Sequence, residues 1–166
     1  MTASLTESQL TPDYNRAAIA TGIVHIGVGG FHRSHQAVYI DGLMRRHSRP
    51  DTPEGNGSGA PEDSCLDWGI CGVGLLPGDA RMRDALAGQN HLYTLILKHP
   101  GGRHEPTIIG SLHNYLFAPD DPETVLSLMS APTTRIVSLT ITENGYNVDD
   151  VTGKFRTKAP GAVHDA

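Results

Sequence analysis

The first strong pattern in the chain is a short apolar run, Ile23 to Val28, bounded by Gly22 and Gly29, which predicts a strand buried on both faces of a parallel sheet. The period then changes. Ala37, Ile40 and Met44, with Leu43 beside them, recur at spacings of three and four, so a helix from about Phe31 to His47 is expected to lay one apolar face on that strand. Arg45, Arg46 and His47 fall in its last turn, where cations suit the helix dipole. Ser48 to Leu66 shows no period. Its 19 residues hold three prolines, three glycines and four acidic residues, and predict a mobile surface insertion between the first helix and the second strand.

Trp68 to Leu75 predicts the second strand, and Pro77-Gly78-Asp79 opens a helix over about Ala80 to Ala87 that Gly88 ends. Leu92 to Lys98 and Thr107 to Leu112 are β-like runs around a turn, His99 to Arg103, which predicts a hairpin departing antiparallel from the sheet. A helix follows over Asp121 to Ser130, with Asp120 or Asp121 as its cap, Pro122 in the first turn, and Val125, Leu126 and Met129 on one face. Arg135 to Thr142 reads as another apolar, central strand, and Val148 to Ala166 predicts no element. The alternation implies an α/β fold, a Rossmann-like doubly wound, mostly parallel sheet, incomplete at its C-terminal side. Residues 1–21 read as an N-terminal extension and 22–166 as one dinucleotide-binding domain with the insertion at 48–66.

The chemistry is concentrated where the first strand ends. A strand running into closely spaced glycines and then a helix lets bare main chain approach a pyrophosphate, while the helix start offers oriented N–H groups. Gly27 and Gly29 hold the first two places of a Gly-x-Gly-x-x-Gly fingerprint, although His32 occupies the third and Gly30 is displaced two residues earlier. Ile26, Gly27, Val28, Gly29, Gly30, Phe31, His32 and Arg33 are therefore the candidate cofactor-binding segment, and Arg33 is placed to add a charge-assisted contact to a phosphate. Thr142 and Glu143 join them as candidates because they end a strand, where ligands of open α/β sheets bind. Asp79 is the acid nearest the second strand's end; it either accepts the ribose hydroxyls of NAD or caps the helix at Ala80. Arg81 and Arg83 stand ready for a 2′-phosphate, which keeps NADP possible. His32 and His35 are three apart, yet no third ligand is suitably spaced and no metal site is expected; His25 reads as a satisfied strand residue.

The chain resembles the polyol-specific long-chain dehydrogenase/reductase family, whose best-known members are mannitol 2-dehydrogenases. The resemblance rests on Ile23-Val-His-Ile-Gly27-Val-Gly29-Gly30-Phe31-His32-Arg33-Ser-His35-Gln36-Ala37, on Trp68-Gly-Ile-Cys-Gly-Val-Gly74-Leu, on Leu92-Tyr-Thr-Leu, and on Arg135-Ile-Val-Ser-Leu-Thr140-Ile-Thr142-Glu143-Asn-Gly145-Tyr146-Asn, in matching order. Asn144 stands where the family motif has glycine. The resemblance implies a cofactor cleft lined by Gly27, Gly29, Phe31, His32 and Arg33, with NAD favoured. It also implies oxidation of a polyol such as mannitol to its ketose, fructose, or reduction of fructuronate or tagaturonate. The family's lysine base and its asparagine and histidine partners come from regions beyond Ala166, so the catalytic residues of this chain are unknown and the 166 residues alone are expected to be inactive. A non-catalytic nucleotide-binding module and a methyltransferase are the competing classes.

Composition adds exclusions. A formal charge of −5, from 13 basic and 18 acidic residues, does not suit a phosphate-tracking surface, so no nucleic-acid partner is expected. Cys65 and Cys71 form neither a disulfide framework nor a zinc spacing, which fits a reducing cytoplasm. Residues 1–20 hold no signal-like apolar stretch and no window reaches membrane-spanning length, so a cytoplasmic protein with no membrane partner is expected.

Overall fold

The computed structural model describes residues 11–48, 65–141, 146–149 and 151–164. Four strands, β1 (Thr21–Ile26), β2 (Gly69–Gly74), β5 (Leu112–Phe117) and β6 (Ile136–Leu139), form one sheet in the order β5-β2-β1-β6 with every neighbouring pair parallel. The helices are α1 (Gly30–Ser34), α2 (Gln36–His47), α3 (Ala80–Ala87), α4 (Pro122–Met129) and α5 (Pro160–His164). The chain leaves β1 toward β2 on one side and returns to β6 on the other. β1 is thus the point where the winding reverses, and the crevice at its carboxyl end is where such sheets bind ligands.

Both faces of β1 and β2 are covered, which is why their sequences are largely apolar runs. Ile23, Val28, Ala37, Ile70, Leu86, Ile109, Leu112 and Tyr115 form one core, with Val38, Ile40 and Met82 packed against it; Val24, Val73 and Val125, with Leu116, Leu128 and Met129, form the other. The turn after β1 and the neighbouring strand β5 approach closely at Gly72, where a Cβ would lie 2.5 Å from Val28 Cγ2 and 2.9 Å from Tyr115 Cδ2.

Several boundaries differ from expectation, each for a local reason. β1 stops at Ile26 rather than Val28, because Gly27 turns with φ +86°. The helix expected over Phe31 to His47 breaks at His35 (φ −126°, ψ −87°) into α1 and α2. In α2 the buried stripe is Ala37, Asp41 and Met44, and Leu43 faces solvent; in α4 Leu126 is exposed while Val125, Leu128 and Met129 turn inward. Asp121 caps α4 as foreseen, accepting from the Thr124 amide at 3.0 Å.

The run Thr107 to Leu112 is split between two elements. β3 (Tyr93–Lys98) and β4 (His104–Ile109) make a separate antiparallel pair closed by the His99–Arg103 turn, so the main sheet stays parallel, and β5 begins beyond Gly110 and Ser111. β5 carries the polar His113 and Asn114 and so has no readable period; the His113 ring meets Thr21 Oγ1 at 2.9 Å. β6 is an edge strand rather than a central one, and Val148 to Ala166, expected to be featureless, contains α5 and a bridge between Val148 and Phe155. The expected insertion lies outside the described residues apart from Ser48, Cys65 and Leu66.

One buried charge fastens these parts together. Asp41 Oδ1 accepts from the Tyr14 hydroxyl and from the Gly110 amide at 2.7 Å, and Oδ2 accepts from Arg45 Nε at 2.6 Å. Arg45 in turn donates to Ile108 O at 2.6 Å and Thr11 O at 3.0 Å, so it serves as Asp41's counter-ion as well as ending the helix. Burial and the adjacent Asp41 carboxylate raise the Tyr14 phenol well above its ordinary range. Removing one member of a buried pair strands the other, so Asp41→Ala should lower the unfolding free energy by about 3–5 kcal/mol in urea denaturation. Tyr14→Phe, which removes one hydrogen bond and no charge, should cost about 1 kcal/mol.

Candidate functional site

The turn after β1 exposes main chain while anchoring itself through side chains on either side. Val28 enters the first core and Ile26 packs on the second, so both hold the turn from beneath. The Gly27 amide donates to Val73 O at 3.0 Å, which keeps the turn attached to β2 beyond the last strand pair, and the Gly29 amide folds back on Gly27 O at 2.8 Å. Gly29 caps α1, and the first amide to reach back into that turn is that of Arg33, to Gly29 O at 3.1 Å. The amides of Gly30, Phe31 and His32 have no carbonyl one turn earlier, as at any helix start. Above Gly29 and Gly30 the space is open: a Cβ at either position meets no atom within 4 Å. Bare amides facing open space beside a strand end are what an anionic group of a ligand requires.

Beside the turn lies a cleft of about 430 Å³ between α1 and the carboxyl end of β6, walled by Phe31, His32, Gln36, Ser138, Thr140 and Tyr146 among others. Two stacked ring pairs form its α1 side. His25 and His32 stack at 3.8 Å with 10° between planes, and Phe31 stacks on His35 at 4.3 Å. His25 is satisfied, as the sequence suggested: Nδ1 meets Ser138 Oγ at 2.9 Å and Nε2 meets Thr140 Oγ1 at 3.1 Å. His32 is buried with neither ring nitrogen in a hydrogen bond of good geometry. Its burial above all, then the neighbouring His25 and Arg33, push its pKa down to about 3 against a smaller opposing pull from Gln36. Both rings are therefore neutral at pH 7, since burial lowers His25 as well.

Arg33 lies back along its own helix, with Nε 3.4 Å from Gly29 O and its guanidinium 5.8 Å from the Tyr93 ring. The Tyr93 hydroxyl donates to Arg33 O at 2.6 Å, bracing α1 from the β3–β4 hairpin. Asp79 sits at the carboxyl end of β2, where Oδ2 accepts from the Leu75 and Leu76 amides, both at 3.0 Å. Asp79 stands at the N-cap position of α3 without a side-chain bond to that helix's amides; its carboxylate instead closes the capping box of the short 3-10 turn Pro77–Asp79 that leads into α3. Thr142 and Glu143 lie outside the described residues, directly after Ile141, which lines the cleft.

The glycine turn expected from the sequence lies beside the cleft, Asp79 does not line it, and Ser138 and Thr140 are cleft residues the sequence reading passed over. Their signal was present as two hydroxyls two residues apart in an otherwise apolar strand, hence on one face. Gln36 belonged to the motif that carries the family resemblance, but its place on the cleft follows the helix break at His35. Among the described residues no group of three or more His, Cys, Asp or Glu side chains is arranged to hold a metal, and no helix is long and apolar enough to cross a membrane.

Residues 21–162 match the model of the mannitol dehydrogenase Rossmann domain. The chain is 46% identical over 154 residues to the mannitol 2-dehydrogenase of Pyricularia oryzae, covering 93% of this chain and 27% of that protein. It is 48% identical over 155 residues to the mannitol 2-dehydrogenase of Neosartorya fischeri, covering 93% and 28% respectively. Among solved structures, it superposes with TM-score 0.70 and 44% identity on Pseudomonas fluorescens mannitol 2-dehydrogenase in ternary complex with NAD and D-mannitol, covering 93% of this chain and 28% of that one. A D-sorbitol dehydrogenase in substrate-free form superposes with TM-score 0.71 at 34% identity, covering 97% and 30%. The chain therefore spans under a third of the length of these relatives.

The neutral imidazoles carry a pH dependence of definite sign. His32, lowered to about 3, and His113, lowered by burial to about 4, bind protons in the unfolded chain near its ordinary pKa of about 6.5 but not in the folded one. Their contribution is complete above about pH 6.5 and is lost as pH falls toward 4, at about 1.4 kcal/mol per pH unit for each histidine. Urea midpoints measured at pH 7.5, 5.5 and 4.5 should fall accordingly, and His32→Leu should flatten the slope by about one proton.

Proposed function

The chain belongs to the mannitol dehydrogenase family by its Rossmann domain, and from that premise we propose that it is the NAD-binding part of a polyol dehydrogenase that oxidises a secondary alcohol, as in mannitol to fructose. The observation that carries this reading is the open glycine turn, anchored by Ile26 and Val28, at the point where the sheet's winding reverses and beside a cleft of about 430 Å³. The residues fit a pyridine dinucleotide. The amides of Gly30, Phe31 and His32 receive its diphosphate, since nothing within 4 Å of the Gly29 or Gly30 Cβ positions blocks the approach. Asp79, steadied by the Leu75 and Leu76 amides, accepts the hydroxyls of the adenosine ribose, and its negative charge disfavours a 2′-phosphate there.

The nicotinamide ring and the polyol carbon beside it occupy the cleft along β6. When bound, NAD supplies the two-electron acceptor. A neutral His32 is compatible with the cationic ring of the oxidised cofactor, whereas a protonated one would repel it. In this reading Thr142 and Glu143 take part in cofactor binding, residues 22–166 form the dinucleotide-binding unit with residues 1–21 as an extension, and no residue of this chain is assigned as the general base.

Calorimetry with NADH tests the assignment. The wild-type chain should bind one NADH, and Gly29→Asp should weaken binding by about 100-fold or more, because a carboxylate then occupies the phosphate's place. Since that side chain points into open space, thermal unfolding should shift by no more than about 2 °C. Mannitol should produce no NAD reduction by the 166-residue chain. Binding of S-adenosylmethionine in place of NADH would end the proposal.

A further inference from the structure

Both arginines that the sequence offers to a 2′-phosphate, Arg81 and Arg83, lie in the first turns of α3, but only Arg83 is claimed by other side chains in a defined way. Its Nε donates to Asp84 Oδ1 at 2.8 Å, its Nη1 donates to Asp120 Oδ2 at 2.7 Å, and its guanidinium lies 4.9 Å from the centre of the Phe117 ring. Asp120 reaches it from the far end of β5, 37 residues away. Arg83 stands four residues after Asp79, hence one helical turn along the same side. The Tyr115 hydroxyl reports on both: burial and the Asp79 carboxylate push its pKa up to about 12, while Arg83 pulls it down. Arg83 thus stands one helical turn beyond the carboxylate that faces the adenosine ribose in the function proposed above, held there by Asp84 and Asp120.

We propose that Asp120, together with Asp84, sets the choice between NAD and NADP by clamping Arg83 away from the ribose 2′ position. The inference rests on the assignment of Asp79 to that ribose. In the clamped state a 2′-phosphate meets Asp79 with no free guanidinium from Arg83. If Arg83 swings to the phosphate, it leaves Asp84 and Asp120 unpaired beside a doubly charged group, and three carboxylates then oppose one arginine. NAD pays no such penalty. Each contact of the clamp is individually weak, because 34% of the Arg83 side chain and 64% of that of Asp120 are exposed. A single neutral substitution is therefore enough to release it, and the exposure of Asp120 lets the substitution be made without disturbing the core.

The test measures the ratio of the NADPH to the NADH dissociation constant by fluorescence titration of the 166-residue chain. Asp120→Asn should lower that ratio about three- to fivefold, and Asp84→Asn, which removes the other carboxylate, should act in the same direction. Both gains should vanish when Arg83→Met is added, because the gain runs through the freed guanidinium. An unchanged ratio in both single variants overturns the proposal. So does a gain that survives Arg83→Met, which would assign the effect to bulk charge or to Arg81. Failure of the wild-type chain to bind either nucleotide overturns the assignment of function itself, and the clamp with it.

Discussion

A strand covered on both faces has to end where its main chain can be satisfied, and the end of β1 determines most of what this protein offers to a ligand. Beyond Ile26 the Gly27 amide still bonds to Val73 O at 3.0 Å, yet its φ of +86° turns the chain out of the sheet. A side chain at that φ would be strained. The amide of Gly29 then closes on Gly27 O, and the chain enters α1 with its next amides free of internal partners. Val28, pressed against the core opposite Gly72, keeps this turn from collapsing onto the strand. Rigid support beneath and open space above arise from the same few residues.

The supports lie far away in sequence. α1 is held from the hairpin by the Tyr93 hydroxyl on Arg33 O, and α2 is held by the buried Asp41, which ties Tyr14, Arg45 and the Gly110 amide into one cluster. Replacing such a cluster with apolar side chains need not cost stability, but breaking it does. α2 begins with Gln36, which together with His32 of α1 forms part of the cleft wall. The stacked imidazoles complete that wall as neutral, aromatic surface, in keeping with a site for a flat ring next to an uncharged polyol.

Charge is distributed unevenly around the crevice. The turn and the cleft carry few ionised side chains of their own, whereas the carboxyl end of β2 and the start of α3 gather Asp79, Arg83 and Asp84, with Asp120 contributed by the loop after β5. Diphosphate recognition by main chain is indifferent to which dinucleotide is present. The proposed discrimination between dinucleotides rests on this second group, where one hydroxyl or one phosphate would meet a set of carboxylates.

Much of this was legible in the chain itself, because short-range chemistry dictates it. The apolar run Ile23 to Val28, the glycines that follow, the 3.6-residue period after them, and the Asp121 cap with Pro122 each act over a few residues, and so the α/β alternation and the glycine turn could be read directly. What depends on contacts across tens of residues could not. β5 was hidden because His113 and Asn114 interrupt its period and are tolerated only beside Thr21 and the strand β2. Asp41 went unremarked in the sequence, because Tyr14, Arg45 and Gly110 converge on it only in the fold. Asp79 and Arg83 could be listed as opposing candidates for one ribose, and the Leu75 and Leu76 amides that hold Asp79 are local, but the pairing of Arg83 with Asp120, 37 residues away, came only with the fold. Sequence determines which local conformations are cheap; only the packed tertiary structure decides which charges are left free to meet a ligand.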